Sequence, residues 1–148
     1  MAEVRHAMAT WNGDLVTGAG TIDYVSSGAF SRMPVTWASR TTAHNGKTSP
    51  EELLAAAHAS CFAMAFSSRL AKNGTPATKL SVRVDIKFDN PGGGWRVATS
   101  RISVEGDVPG IEVAKFVELA EDAKEICPIS AAVKGNVELE VVPTLLGS

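Results

Sequence analysis

Apolar and polar residues alternate almost perfectly through LSVRVDIKFD, residues 80–89, the mark of a strand with one buried face. Across the loop Asn90-Pro91-Gly92-Gly93-Gly94, residues 95–107 (WRVATSRISVEGD) alternate less cleanly and predict the second arm of a hairpin. Residues 136–142 alternate again and predict a last strand. Near the N-terminus, residues 4–11, 15–25 and 29–40 give three more candidate strands, separated by the turn chemistry of Asn12-Gly13-Asp14 and Ser26-Ser27-Gly28. Helical spacing takes over twice. Residues 111–126 set Val113, Phe116, Val117, Ala120 and Ala123 on one face, an amphipathic helix. Cys127-Pro128 interrupts it, and a short helical piece over about 130–133 can follow. The best-specified element is 48–74, TSPEELLAAAHASCFAMAFSSRLAKNG. Ser49 can N-cap it, Pro50 suits its first position, and Glu52 completes a capping box. Glu51 and Glu52 lie at the positive helix end, while Lys72 and Gly74 close the other.

The order β-β-β-α-β-β-α-β, strands in two batches with helices between, predicts an α+β fold with a largely antiparallel sheet, as one domain over 1–148. Its long central helix is apolar or small on every face from 53 to 66, so it is expected to be buried all round. One small sheet covers one side of such a helix. A second copy of the chain is the economical cover for the other, which predicts a homodimer.

Composition narrows the function classes. A net charge of −2 argues against a nucleic-acid or anionic-membrane surface. The first residues, MAEVRHAMATWNGD, hold no apolar signal-peptide core. The central apolar run is shorter than the roughly 20 residues of a membrane span. These features predict a soluble cytoplasmic protein. In a reducing compartment its two cysteines are reactive, metal-binding or buried thiols rather than a permanent staple.

Cys61 sits mid-helix among Ala, Phe and Met, and Cys127 precedes a proline at a helix break. Either can be a small buried hydrophobe. Together they can form a reversible disulfide, with Cys61 as attacking thiol or resolving partner. A buried thiolate needs a cation, and Arg40 can supply one without titrating itself. Glu51 can hold that guanidinium by a bidentate pair. The plainer readings are a solvated strand end for Arg40 and helix capping for Glu51. Ten residues of helix separate Glu51 from Cys61, about 15 Å of rise, so a shared site needs the Cys61 of a partner protomer. His58, one turn before Cys61, can join Cys61 and Cys127 in a metal site or be a satisfied core histidine. Gly92-Gly93-Gly94 opens no helix, so phosphate-loop contexts fail.

SPEELLAAAHASCFAMA closely resembles the signature of the OsmC/Ohr family, the osmotically inducible and organic hydroperoxide resistance proteins. ICPIS resembles the family's second-cysteine motif, and WNGDLVTGAGTI resembles the first strands of the OsmC branch, which His58 and the late Arg40 also favour. The resemblance implies an intertwined homodimer of α+β protomers with the central helices back to back. It implies a cysteine-dependent peroxidase for organic hydroperoxides without metal, haem or flavin. By motif, Cys61 is peroxidatic, Cys127 resolving, Glu51 the active-site glutamate and Arg40 the arginine against the thiol. Lipoyl-type dithiols are the reductants it suggests. Phe62, Phe66, Met33 and Trp37 are candidate walls for an alkyl tail. The alternatives are a non-catalytic stress or binding protein with structural cysteines, and the His58/Cys61/Cys127 metal site.

Overall fold

Strands β1 (Ala7–Asn12), β2 (Ala19–Val25) and β3 (Ser31–Val35) form an antiparallel sheet in the order β1-β2-β3. The computed structural model describes residues 1–147. It divides into two units, Met1–Leu53 and the chain from Leu54 onward.

The first unit departs from the sequence pattern after Val35. The stretch 29–40 predicts one strand, yet the chain leaves the sheet and forms the short helix α1 (Trp37–Thr41). Local capping is the cause. Thr36 is extended, at φ −141° and ψ 165°, and its Oγ1 accepts from the Ser39 N–H at 3.1 Å. The Thr36 N–H donates back to Ser39 Oγ at 3.1 Å. This reciprocal box satisfies two backbone donors that an apolar strand would leave to a neighbouring strand. Arg40 therefore stands in the last turn of a helix, not at a strand end.

Helix α2 (Pro50–Lys72) begins in the first unit and continues into the second. Ser49 Oγ accepts from the Glu52 N–H at 3.1 Å, as its capping role predicts. The other arm of the expected box goes elsewhere: the Glu52 carboxylate accepts from the Thr48 hydroxyl at 2.9 Å. The helix ends as its last residues predict. Gly74 takes φ +81°, its N–H donates to Ala71, and the Thr75 N–H donates to Leu70.

The second unit holds a sheet in the order β4-β5-β6: β4 (Lys79–Asp89), β5 (Arg96–Asp107) and β6 (Glu138–Leu145). The β4–β5 hairpin is antiparallel, and β6 runs parallel to β5 after returning through α3 (Val113–Ile126) and α4 (Pro128–Val133). The molecule is thus α+β with two three-stranded sheets rather than one, antiparallel in every pairing except β5–β6.

The core of this unit is aromatic and aliphatic. Phe62, Phe66 and Leu70 of α2 meet Ile102 and Val104 of β5 and Phe116, Ala120 and Ala123 of α3. The Phe66 ring lies 5.6 Å from Phe62 and 5.1 Å from Phe116, centroid to centroid. A Cβ on Gly106 would stand 2.6 Å from the Phe116 ring, which is why the strand carries glycine there.

Within one chain α2 is buried on one face, not all round. Met64 is 68% exposed, and Ala56, Ala57, Ser60, Ser67, Ser68 and Ala71 are exposed beside it. A groove of about 530 Å³ runs along this face, between Met64, Ser67 and Ala71 on one side and Ala77 to Leu80 on the other. Its 23 residues, with an 18-residue window of mean hydropathy 1.2, make α2 long and apolar enough to cross a bilayer by length and composition, where the apolar run alone suggests a shorter segment. Its Phe62, Phe66 and Leu70 face is nevertheless packed into the protein core.

Candidate active site: a thiol pair, a buried histidine and an arginine–carboxylate pair

Cys127 is placed by two helix ends at once. Its N–H donates to Ala123, closing α3, and its C=O accepts from the Ala131 N–H, opening α4. Pro128 at the first position of α4 has no N–H to lose there. The thiol is wholly buried. Cys61, on α2, is half-buried and packs against the same core. Both cysteines are free thiols, and the Cys127 thiol is near enough to Cys61 to act on its titration.

Three influences act on the Cys61 thiol. Burial is the largest and pushes its pKa up. The backbone N–H of Ile129, in the first turn of α4, pulls it down. The Cys127 thiol pushes it up again. Burial leads, so Cys61 in a single chain rests as a thiol above its ordinary range, and a cation is what would turn it into a thiolate.

His58 is also in this unit, 1% exposed. Its Nδ1 is hydrogen-bonded to Ser100 Oγ and its Nε2 to Ser130 Oγ, each at 2.7 Å. Both serines are 1% exposed. The three groups satisfy one another, as buried polar atoms must. Desolvation lowers the pKa of His58 and keeps the ring neutral. With both nitrogens engaged by hydroxyls, His58 is the satisfied core histidine of the two readings, and no ring lone pair faces the thiols as a metal ligand. Among the described residues no group of three or more His, Cys, Asp or Glu side chains is arranged to hold a metal ion. The serine partners escape sequence reading, although a signal is present. Ser100 occupies an inward position of β5, in line with Ile102 and Val104, and a polar residue there needs a partner.

The arginine–carboxylate pair belongs to the first unit. Arg40 Nη2 donates to Glu51 Oε1 at 2.6 Å, and Nε donates to Oε1 and Oε2 at 3.2 and 3.1 Å. Charge-assisted forked contacts of this kind fix a guanidinium in direction as well as position. The backbone arranges the meeting. Ser39 Oγ donates to the Thr48 carbonyl at 2.9 Å, tying α1 to the residues that cap α2. The guanidinium also lies 5.5 Å over the Trp37 ring. It borders a mostly apolar pocket of about 350 Å³ lined by Trp11, Leu15, Val35, Thr36, Trp37 and Pro50.

Of the four candidate walls for an alkyl tail, only Trp37 lines that pocket. Phe62 and Phe66 are fully buried core residues of the other unit, and Met33 is 38% exposed on β3. Trp11, Leu15, Val35 and Pro50 are the walls that sequence reading misses. They come from separate elements with no shared period, so no local pattern joins them.

Fold and site together define a dithiol protein of α+β architecture, two three-stranded sheets and one long helix carrying a half-buried cysteine. Within that class the chain belongs to the OsmC-like protein family, whose model matches residues 43–142. Peroxiredoxin OsmC of Escherichia coli is 33% identical over 136 residues, 92% of this chain and 94% of that protein. The organic hydroperoxide resistance protein of Xanthomonas axonopodis pv. citri is 32% identical over 99 residues, 62% of this chain and 63% of its own length. The longer match agrees with the OsmC branch that the sequence favours. In fold the chain is similar to OhrB of Bacillus subtilis, with TM-score 0.71, 23% identity and 94% and 98% of the two chains covered. It is likewise similar to an OsmC-like protein of Mycoplasma pneumoniae, with TM-score 0.74, 18% identity and 98% and 99% covered.

Proposed function

We propose that this protein is a thiol-dependent peroxidase that reduces organic hydroperoxides to alcohols. The observation that carries the reading is a pair of free thiols in one unit, half-buried Cys61 and buried Cys127, near enough for Cys127 to act on the titration of Cys61. The names of the relatives, a peroxiredoxin and an organic hydroperoxide resistance protein, support a peroxidase-type role.

The chemistry follows from the thiols. The Cys61 thiolate attacks the distal oxygen of ROOH, the O–O bond breaks, and the alkoxide leaves as alcohol after taking a proton. Cys61 is then a sulfenic acid. The Cys127 sulfur attacks the Cys61 sulfur, the S–O bond breaks and water leaves, giving a disulfide. An external dithiol, with lipoyl-type carriers suggested by the family, reduces that bond by two exchanges and is itself oxidised to its disulfide. Arg40 supplies the cation that the Cys61 thiol needs, and Glu51 holds Arg40 in direction. The apolar pocket beside Arg40 suits an alkyl tail.

The site works in a homodimer. Glu51 and Cys61 are ten residues apart on one helix, about 15 Å of rise, so the Arg40–Glu51 pair of one protomer serves Cys61 of its partner. The exposed apolar face of α2 around Met64 is the surface that a second copy covers. A cytoplasmic location belongs to the same reading, since the thiols must be returned to the reduced state.

Cumene hydroperoxide consumption in the presence of a dithiol tests the proposal. Turnover should vanish in Cys61→Ser, and undiminished turnover there overturns the reading. Cys127→Ser should complete the first oxidation, form no intramolecular disulfide and over-oxidise. A non-catalytic stress or binding protein would instead keep both thiols inert to stoichiometric peroxide.

A further inference from the structure

The peroxidase chemistry leaves the buried His58 and its two serine partners without a task. His58 lies one turn before Cys61 on α2 and is sealed from solvent. Its two nitrogens reach in different directions, to Ser100 on β5 and to Ser130 in the first turn of α4, each at 2.7 Å. Ser130 follows Cys127 by three residues and stands next to Ile129, whose N–H faces Cys61. One imidazole therefore joins the helix of the first thiol, the central strand of the sheet and the turn that carries the second thiol.

That turn needs an anchor. Helix α4 has six residues, too few to hold itself by its own hydrogen bonds, and among the described residues the Cys127 backbone is bound along the chain, to Ala123 and Ala131. Side-chain hydrogen bonding through His58 fixes the turn laterally against α2 and β5. A neutral imidazole donates through one nitrogen and accepts at the other, and a serine hydroxyl can meet either need, so the network closes in both tautomers.

We propose that His58 is the positioning residue of the resolving step. By holding Ser130 it keeps the 127–130 turn in register with Cys61, so that the Cys127 sulfur stands ready to attack the Cys61 sulfur. The proposal rests on the thiol chemistry above and assigns His58 no contact with hydroperoxide. A displaced turn leaves the first oxidation open to Cys61 and slows the closure, in which the S–S bond forms and the hydroxyl departs with a proton as water.

The amide isosteres separate the two hydrogen bonds. Glutamine places its terminal amide where Nε2 stands and can keep Ser130. Asparagine places its amide where Nδ1 stands and keeps Ser100 alone. In the full-length protein, sulfenic acid is trapped with dimedone and disulfide closure is followed by intact mass after a cumene hydroperoxide pulse. His58→Asn and Ser130→Ala should slow closure about tenfold to a hundredfold more than they slow sulfenylation, and over-oxidise more readily. His58→Gln should stay within about threefold of the native closure rate. Closure unchanged in His58→Asn and Ser130→Ala overturns the proposal. So does an equal slowing of both steps in all three variants, the mark of a merely structural histidine. Failure of the peroxidase reading looks different, because the native protein then forms no sulfenic acid. Closure is then read from a Cys61–thionitrobenzoate mixed disulfide, where attack by Cys127 forms the S–S bond and releases the coloured thiolate. The same ranking of variants upholds the role of His58, and equal rates overturn it.

Discussion

At Cys61 burial and charge pull in opposite directions. Burial pushes the thiol pKa up, the Ile129 N–H pulls it down, and Cys127 raises it again. If Arg40 completes the site, its loss removes the cation that favours the thiolate. The pH profile of Cys61 alkylation by iodoacetamide should then move to higher pH in Arg40→Ala, and more than in Glu51→Gln, where the guanidinium remains but is less firmly held. An unmoved profile in Arg40→Ala would separate the arginine from the thiol. His58 gives a second test. Desolvation lowers its pKa in the folded protein, so as pH falls through the ordinary histidine range near ~6.5 the unfolded chain takes up the proton first. This group's contribution to stability is whole above that range and is lost as pH drops. Thermal denaturation from about pH 8 to about pH 5.5 should show Tm falling, with a shallower fall in His58→Gln. Both cysteines, Arg40 and Glu51 stand out in the sequence as candidates because each residue type has a restricted chemistry. Ser130 does not, since serine is common and its part comes from burial beside one imidazole, and Ser100 is marked only by its inward place on β5.

Among the elements, α2 was the most legible. Its cap at Ser49 and its stop at Gly74 are local signals, written in neighbouring residues. Helix α1 carries a strand pattern in the sequence, because Met33, Val35 and Trp37 alternate while the Thr36–Ser39 box turns the chain. Two short-range hydrogen bonds outweigh a period that needs a strand partner to matter. The parallel placement of β6 beside β5 and the split into two sheets depend on tertiary pairing, which alternation does not encode. Two substitutions test the element-level reading. Gly74→Ala forces a side chain into the left-handed region and should cost about 1–2 kcal/mol in chemical denaturation. Phe66→Ala removes a ring packed between Phe62 and Phe116 and should cost about 3–5 kcal/mol. Losses well below these values would mean that the helix end or the core is looser than described.

For the whole molecule, the proposed homodimer rests on the exposed face of α2 around Met64. Burial all round was expected from the sequence, and a single chain covers only one face, so the unmet half of that expectation points to a second copy. Met64→Glu should place charge in the proposed interface and shift the light-scattering mass at micromolar concentration from dimer toward monomer. A native monomer would remove the basis for sharing residues between protomers. Subunit complementation tests whether the thiol site is completed by the partner's Arg40–Glu51 pair. Arg40→Ala and Cys61→Ser chains are co-expressed with different tags, and the mixed dimer is isolated through both. Each parent homodimer should consume organic hydroperoxide poorly. The mixed dimer should recover about half of the native turnover, because one of its two sites regains both an intact Cys61 and an intact Arg40 from opposite chains. A mixed dimer as inactive as its parents would contradict the shared site.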